Sequence, residues 1–72
     1  MEKGLIVVNP KVGFGKPVVA GTRVPVELVV GKVAGGMRVE EVMKEYELTR
    51  KQVLAALKYA ADAVASERVM YA

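Results

Sequence analysis

Apolar residues after Pro25 recur at the three- and four-residue spacing of an amphipathic helix. The first run predicts a helix near residues 25–34, with Pro25 in its first turn and the Gly35-Gly36 pair as a C-terminal stop. Its apolar positions are Val26, Val29, Val30 and Val33. The valine-rich stretch over residues 24–33 also fits a strand, and Gly31 weakens a helix by up to about 1 kcal/mol relative to Ala.

Two more helices are predicted between Gly36 and residue 65. The second has Glu40 and Glu41 in its first turn, where the helix dipole favours negative charge. Its apolar stripe consists of Val39, Val42, Met43 and Tyr46. The third helix, from residue 50 to about 65, has the clearest start signal, because Thr49 and Gln52 have the spacing of a capping box.

The faces of the third helix follow from the same period. Leu48 and Val53 have the spacing of a hydrophobic staple at its start. The predicted core face consists of Val53, Leu57, Ala60 and Val64. The predicted opposite face consists of Lys51, Ala55, Lys58 and Asp62, with Gln52 and Tyr59 beside it.

The first third of the chain is predicted to be extended, because its prolines and glycines prevent a long helix. Two β-rich segments, residues 5–8 and 17–20, flank a predicted loop over residues 9–16. We expect a mainly α fold, a tri-helical helix-turn-helix domain of homeodomain-like or winged-helix-like type with a short N-terminal β element. The expected single domain, residues 1–72, comprises a β-rich segment 1–24, three helices over 25–66 and a tail 67–72.

Composition narrows the possible functions. The 72 residues include no Cys and no His, which excludes disulfides and thiolate zinc sites and removes the commonest general base and metal ligand. We therefore expect no enzyme activity, no metal and no cofactor. No apolar run approaches the ~20 residues that cross a bilayer, and the first residues do not form a secretory signal. These observations predict a cytoplasmic protein without membrane contact.

Charge alternates in sign along the chain, with an acidic segment over residues 38–47 and a basic one over 48–61. In a helix-turn-helix domain the third helix enters the major groove, so its cations would face phosphates or base edges. The candidate nucleic-acid-binding residues of this helix are Arg50, Lys51, Gln52 and Lys58. Ala55 is small enough to permit close approach. The same pattern also fits an ordinary solvated surface.

Residues 15–23 contain glycines and Lys16 but lack the G-x-x-x-x-G-K-[ST] spacing of a phosphate loop. Gly21 and Thr22 are therefore interpreted as a turn, which leads to a helix start at Pro25. Arg23 either pairs with a carboxylate or reaches a phosphate, and it remains a candidate nucleic-acid contact.

Three segments of the chain resemble the small prokaryotic family called domain of unknown function 433. The most specific is G-K-P-V-V-A-G-T-R-V-P-V at residues 15–26. The sequences G-M-R-V-E-E-V at residues 36–42 and L-T-R-K-Q-V-L-A-A-L-K-Y-A at residues 48–60 follow at the expected distances. The resemblance covers roughly residues 6–62.

This resemblance implies a helix-turn-helix protein and an antitoxin of a type II toxin–antitoxin pair. Such a protein forms a homodimer, binds its own operator DNA to regulate transcription, and inhibits a toxin with a PIN-type ribonuclease domain. Two positions depart from the family pattern. Arg38 replaces a Ser that often caps the second helix, and the Pro that is common after Tyr46 is absent. We expect a weaker helix cap at the first position and leave the turn geometry at the second open.

A second hypothesis is a protein-interaction module that binds a partner protein without specific DNA binding. The tail offers three apolar candidates for partner binding, Val69, Met70 and Tyr71. The acidic second helix would attract a basic partner. Under the DNA-binding hypothesis, the apolar strand over residues 5–8 is the predicted contact between two copies, because a two-stranded sheet is marginally stable alone.

Overall fold

A computed structural model of the protein describes residues 2–67, with side chains for residues 4–11 and 15–66. A short 3-10 helix, Glu2–Leu5, leads into two antiparallel strands, β1 (Ile6–Asn9) and β2 (Val12–Val19). Three helices follow, α1 (Val26–Ala34), α2 (Val39–Tyr46) and α3 (Arg50–Glu67). The structure confirms the expected fold class, because it is mainly α with three helices and a short N-terminal β element.

The β-hairpin is longer than the sequence predicted. Because β2 begins at Val12, the expected loop over residues 9–16 is wrong and only a tight turn remains. Asn9 shapes that turn, since its side-chain oxygen accepts the backbone N–H of Lys11 at 2.8 Å. The pairing register shifts beside Asn9, and Gly15, with a φ of 84°, lies in the excess length of β2. The glycines of this region therefore belong to an irregular strand and not to a loop.

The turn from β2 to α1 is built by Gly21 and Thr22, as predicted. Gly21 has a φ of 78°, and the Thr22 hydroxyl donates to the Val19 carbonyl at 2.8 Å and accepts the Val24 N–H at 3.0 Å. The Val19 N–H donates to the Val24 carbonyl at 2.9 Å, so this part of the outer edge of β2 is covered by its own chain. Pro25 then precedes the first residue of α1.

The stretch that follows Pro25 is a helix, which settles the choice between helix and strand. Its end is a Schellman motif, in which the Met37 N–H donates to the Lys32 carbonyl at 2.9 Å and the Gly36 N–H to the Val33 carbonyl at 3.0 Å. Gly36 has a φ of 110°, a conformation that a side chain would strain. The predicted glycine stop is thus confirmed.

Helix α2 has one half of a capping box at its start. The Arg38 N–H donates to the Glu41 carboxylate at 2.8 Å, but an arginine side chain has no acceptor to return the bond. At the other end, Glu47 adopts the left-handed conformation, with φ 55° and ψ 47°. The Leu48 N–H then donates to the Met43 carbonyl at 2.9 Å, which closes the helix without the proline common in the family.

Helix α3 begins with the predicted capping box. The Gln52 N–H donates to the Thr49 hydroxyl at 3.1 Å, and the Thr49 N–H donates to the Gln52 side-chain oxygen at 2.8 Å. Leu48 and Val53 are both buried in the core on either side of this start. Helices α2 and α3 with the turn between them form the helix-turn-helix unit.

Aliphatic side chains from both strands and all three helices form one core between the hairpin and the helices. Its buried residues are Ile6, Val18, Val19, Val26, Val29, Val42, Leu48, Val53, Ala55 and Ala56. Among the side chains that the structure describes, the largest fully buried ones are all valines: Val18, Val19, Val29, Val42 and Val53. The structure describes no helix that combines the length and apolar character needed to cross a bilayer.

Two predictions about the faces of α3 are wrong. Ala55, expected on the opposite face, is only 3% exposed, because α3 contacts α1, α2, the 3-10 helix and both strands and so buries a wide arc. Val64, expected in the core, is 65% exposed. Helix α3 has 18 residues whereas α1 has nine and α2 has eight, and residues 61–66 at its end are all exposed.

Candidate nucleic-acid interface

Three of the predicted cationic residues lie together on the outer face of α3. They border an open groove of about 500 Å³ whose lining residues are Arg50, Lys51, Leu54, Ala55 and Lys58. Because residues three and four apart are neighbours on a helix, their spacing places all the side chains of this groove on one side of α3. We refer to it as the α3 groove.

Arg50 forms an ion pair at the start of α3. Its Nη1 donates to the Glu40 carboxylate at 3.4 Å, which joins the first turns of α2 and α3 across the helix-turn-helix unit. Both side chains are mostly exposed, so solvent screens the pair and its contribution to folding is small. Arg50 therefore remains available to exchange the carboxylate for a phosphate oxygen, which accepts the same kind of charged hydrogen bond.

The surroundings of Glu40 change the pKa of its carboxyl group. Its pKa is lowered from the usual value of 4.5, first because its own backbone N–H hydrogen-bonds to the carboxylate and then because Arg50 and Arg38 lie nearby. Glu40 therefore stays ionised at neutral pH and competes with any anion for Arg50.

Lys51 differs from the other two cations of the α3 groove in its lack of a partner among the described residues. It is exposed, and it makes neither a hydrogen bond nor an ion pair with the rest of the described chain. Lys58 in contrast forms an ion pair with Asp62 at 2.9 Å, four residues further along the same helix. Of the three cations that line the α3 groove, Lys51 is thus the one whose charge no described carboxylate balances.

Gln52 and Arg23, the other two candidate contacts, lie elsewhere. The side-chain oxygen of Gln52 is used in the capping box, and Gln52 does not line the α3 groove. Arg23 is exposed beside a separate hollow at the β2–α1 turn, where Val7 and Thr22 also lie. It forms no hydrogen bond or ion pair with the residues that the structure describes, so the carboxylate pairing considered from the sequence is not observed among them.

Sequence reasoning missed Leu54, which is 43% exposed in the middle of the α3 groove. The signal for it was present, because Leu54 follows Arg50 by four residues and precedes Lys58 by four. The predicted partner-binding residues Val69, Met70 and Tyr71 lie outside the described residues.

A second groove, lined mainly by apolar residues, runs between α1, β2 and the exposed end of α3. Its lining includes Val30, Tyr59, Ala63 and Val64. The ion pair between Lys16 and Glu27, at 3.2 Å, lies at this groove, because both residues line it. We refer to it as the α1/α3 groove.

Comparisons with known proteins identify a family and a solved structure to which the chain is similar. A family model described as protein of unknown function (DUF433) matches residues 6–60. Among solved structures, the chain is similar to the crystal structure of Rv2018 from Mycobacterium tuberculosis, with 35% sequence identity and a TM-score of 0.65. The match covers 72% of this chain and 24% of the Rv2018 chain, so this chain spans about a quarter of that protein. No curated protein matches the chain.

Proposed function

The chain belongs to the DUF433 family, and from the chemistry of its α3 groove we propose that it is a DNA-binding protein of the antitoxin type. In this proposal it binds its own operator as a homodimer and neutralises a PIN-type ribonuclease encoded beside it. The observation that supports DNA binding is the cluster of Arg50, Lys51 and Lys58 on the outer face of α3. That helix is the second of a helix-turn-helix pair, the element that such domains place in the major groove.

The distribution of charge supports α3, and not α2, as the helix closest to DNA. The exposed side of α2 carries Glu40, Glu41 and Glu45 against one cation, Lys44, and Glu47 follows directly after the helix. A phosphate backbone would be repelled by this surface and attracted by the α3 groove, so the two helices together orient the domain on a polyanion.

The free edge of the hairpin supports a dimer through β1. The Ala20 N–H donates to the Leu5 carbonyl at 2.7 Å, and by strand alternation the backbone groups of Ile6 and Val8 point away from β2. Val8 is also 56% exposed. Pairing of β1 with β1 of a second copy would satisfy these groups and extend the sheet to four strands.

The DNA-binding proposal is tested by equilibrium titration against DNA from upstream of the protein's own gene and against scrambled DNA, at several salt concentrations. We expect selective binding whose affinity falls with salt, with a log–log slope of about −0.9 for each phosphate neutralised. Lys51→Glu should abolish selective binding, whereas Lys11→Glu, the same charge change in the hairpin turn, should have little effect. Equal, weak binding of both DNAs, or equal effects of the two variants, would refute the proposal.

The dimer is tested separately by sedimentation of the wild-type protein and Val8→Lys. A lysine on an edge strand opposes strand pairing but leaves the hairpin's own hydrogen bonds in place. We expect a wild-type dimer and a folded monomeric variant. A dimer that persists in the variant would exclude the β1 edge as the contact.

A partner-binding role is favoured by the α1/α3 groove, in which apolar side chains are left exposed at the end of α3. Exposed apolar clusters of this kind are typical of protein–protein contacts. We expect Val64→Lys to weaken inhibition of the neighbouring ribonuclease without changing DNA affinity. Deletion of residues 68–72 tests the tail in the same assay, and undiminished inhibition by that variant would exclude Val69, Met70 and Tyr71.

A further inference from the structure

Leu54 occupies an unusual position for an exposed leucine. Single exposed apolar residues are common on protein surfaces and need no explanation. Leu54, however, is the only large aliphatic side chain among the described residues that line the α3 groove, and it lies between Arg50, Lys51 and Lys58. Each of these cations is three or four residues away, so all three border the leucine on the same helix face.

Ala55 adds to this geometry. Because Ala55 is 3% exposed and lines the groove, its methyl group forms part of the floor beside Leu54, and no long side chain stands there. A ligand can therefore approach the helix closely over Ala55 and contact Leu54 there. The surrounding cations would then contact negatively charged groups at the edge of the ligand.

A ligand that fits this surface presents negatively charged groups around a small apolar group. In the major groove of DNA, phosphates line both walls, and the C5-methyl of thymine is the apolar group that the base edges present. Leucine has no donor or acceptor for a base edge, so a thymine methyl is the group that it recognises. We infer that Leu54 is a specificity-determining residue that contacts a thymine methyl in the operator. This inference rests on the proposed DNA-binding function.

An acidic amphipathic helix of a partner protein would also present anions around apolar groups. Two features favour DNA over such a partner. Lysine is depleted at the centre of protein–protein interfaces, whereas two of the three cations here are lysines. A single leucine also offers less apolar surface than an amphipathic helix requires, and the larger apolar surface of this protein lies at the α1/α3 groove.

The test replaces thymines of the bound DNA, one at a time, by deoxyuridine, which lacks only the methyl group. We expect replacement at one position in each half-site to weaken wild-type binding about fourfold, as burial of one methyl group predicts. Leu54→Ala should bind the thymine and uracil versions of that site equally. Leu28→Ala, the same truncation on α1 outside the α3 groove, should keep the wild-type preference. The salt dependence of Leu54→Ala should match the wild type, because no phosphate contact is removed.

The outcomes separate the two levels of the proposal. If the wild-type protein does not distinguish operator from scrambled DNA, the proposed function fails and the inference fails with it. If operator binding is selective but indifferent to every uracil, or if Leu54→Ala keeps the preference for thymine, only the inference is overturned. Loss of partner binding in Leu54→Ala, with no change in the thymine preference, would assign the residue to a protein contact instead.

Discussion

The exposure of side chains at the end of α3 can be tested by making the same substitution at two valines of that helix. Val53 is fully buried, whereas Val64 is 65% exposed. Valine to alanine removes two methyl groups in either case and improves helix propensity by about 0.5 kcal/mol in either case. The difference between Val53→Ala and Val64→Ala therefore reports burial alone.

The expected magnitudes follow from the exposed fractions. At ~0.8 kcal/mol for each buried methyl group, Val53→Ala loses about 1.6 kcal/mol of transfer free energy plus about 1 kcal/mol for the cavity that is left. After the gain in helix propensity, the net loss is about 2 kcal/mol. At Val64 about a third of the transfer term applies, or about 0.5 kcal/mol, and helix propensity offsets it. Val64→Ala should therefore leave the free energy of unfolding unchanged.

Urea unfolding followed by far-ultraviolet circular dichroism measures this difference. With a denaturant dependence of about 1 kcal/mol per molar urea, Val53→Ala should lower the midpoint by about 2 M and Val64→Ala should not move it. Destabilisation of more than about 1 kcal/mol by Val64→Ala would contradict the exposure of the end of α3. If that destabilisation appeared only at tenfold higher protein concentration, Val64 would be buried between two copies of the chain.

Three further predictions concern the ends of the helices. Thr49→Ala removes the acceptor for the Gln52 N–H and should cost about 1 kcal/mol of unfolding free energy, whereas Thr49→Ser should retain most of it. Glu47 adopts the left-handed conformation, which glycine adopts without strain, so Glu47→Gly should raise the free energy of unfolding by up to about 1 kcal/mol. Glu45→Gly, inside α2, should lower it by a similar amount. Because the pKa of Glu40 is lowered on folding, its stabilisation is complete above pH 4.5 and is lost as pH falls further. The wild type should therefore lose stability more steeply below pH 4.5 than Glu40→Gln, and parallel pH profiles of the two proteins would contradict the lowered pKa of Glu40.

Part of the candidate site could be predicted from the sequence. The basic segment after residue 48 and its capping box identified α3 and the cations on it. The role of Gln52 in that cap was predicted as well, but the same residue was also expected to face DNA, and its side-chain oxygen is used in the cap. The pairing of Arg50 with Glu40 was not predicted, because it joins residues of different helices across the turn.

The sequence by itself determined the helices and their ends. Periodic apolar residues, the Thr49–Gln52 capping box and the Gly36 stop act within a few residues of one another, so their effect does not depend on distant parts of the chain. The β2–α1 turn at Gly21 and Thr22 was predictable for the same reason.

Only the tertiary structure decided how wide the buried side of α3 is and how far the core extends along that helix. Ala55 is buried because the hairpin and the 3-10 helix pack against α3 together with α1 and α2, whereas Val64 is exposed because it borders the open α1/α3 groove. The extension of β2 likewise depends on pairing with β1 and not on its own glycine-rich sequence. Helical periodicity assigns a side to a residue, but the lengths and positions of neighbouring elements determine whether anything lies there to cover it.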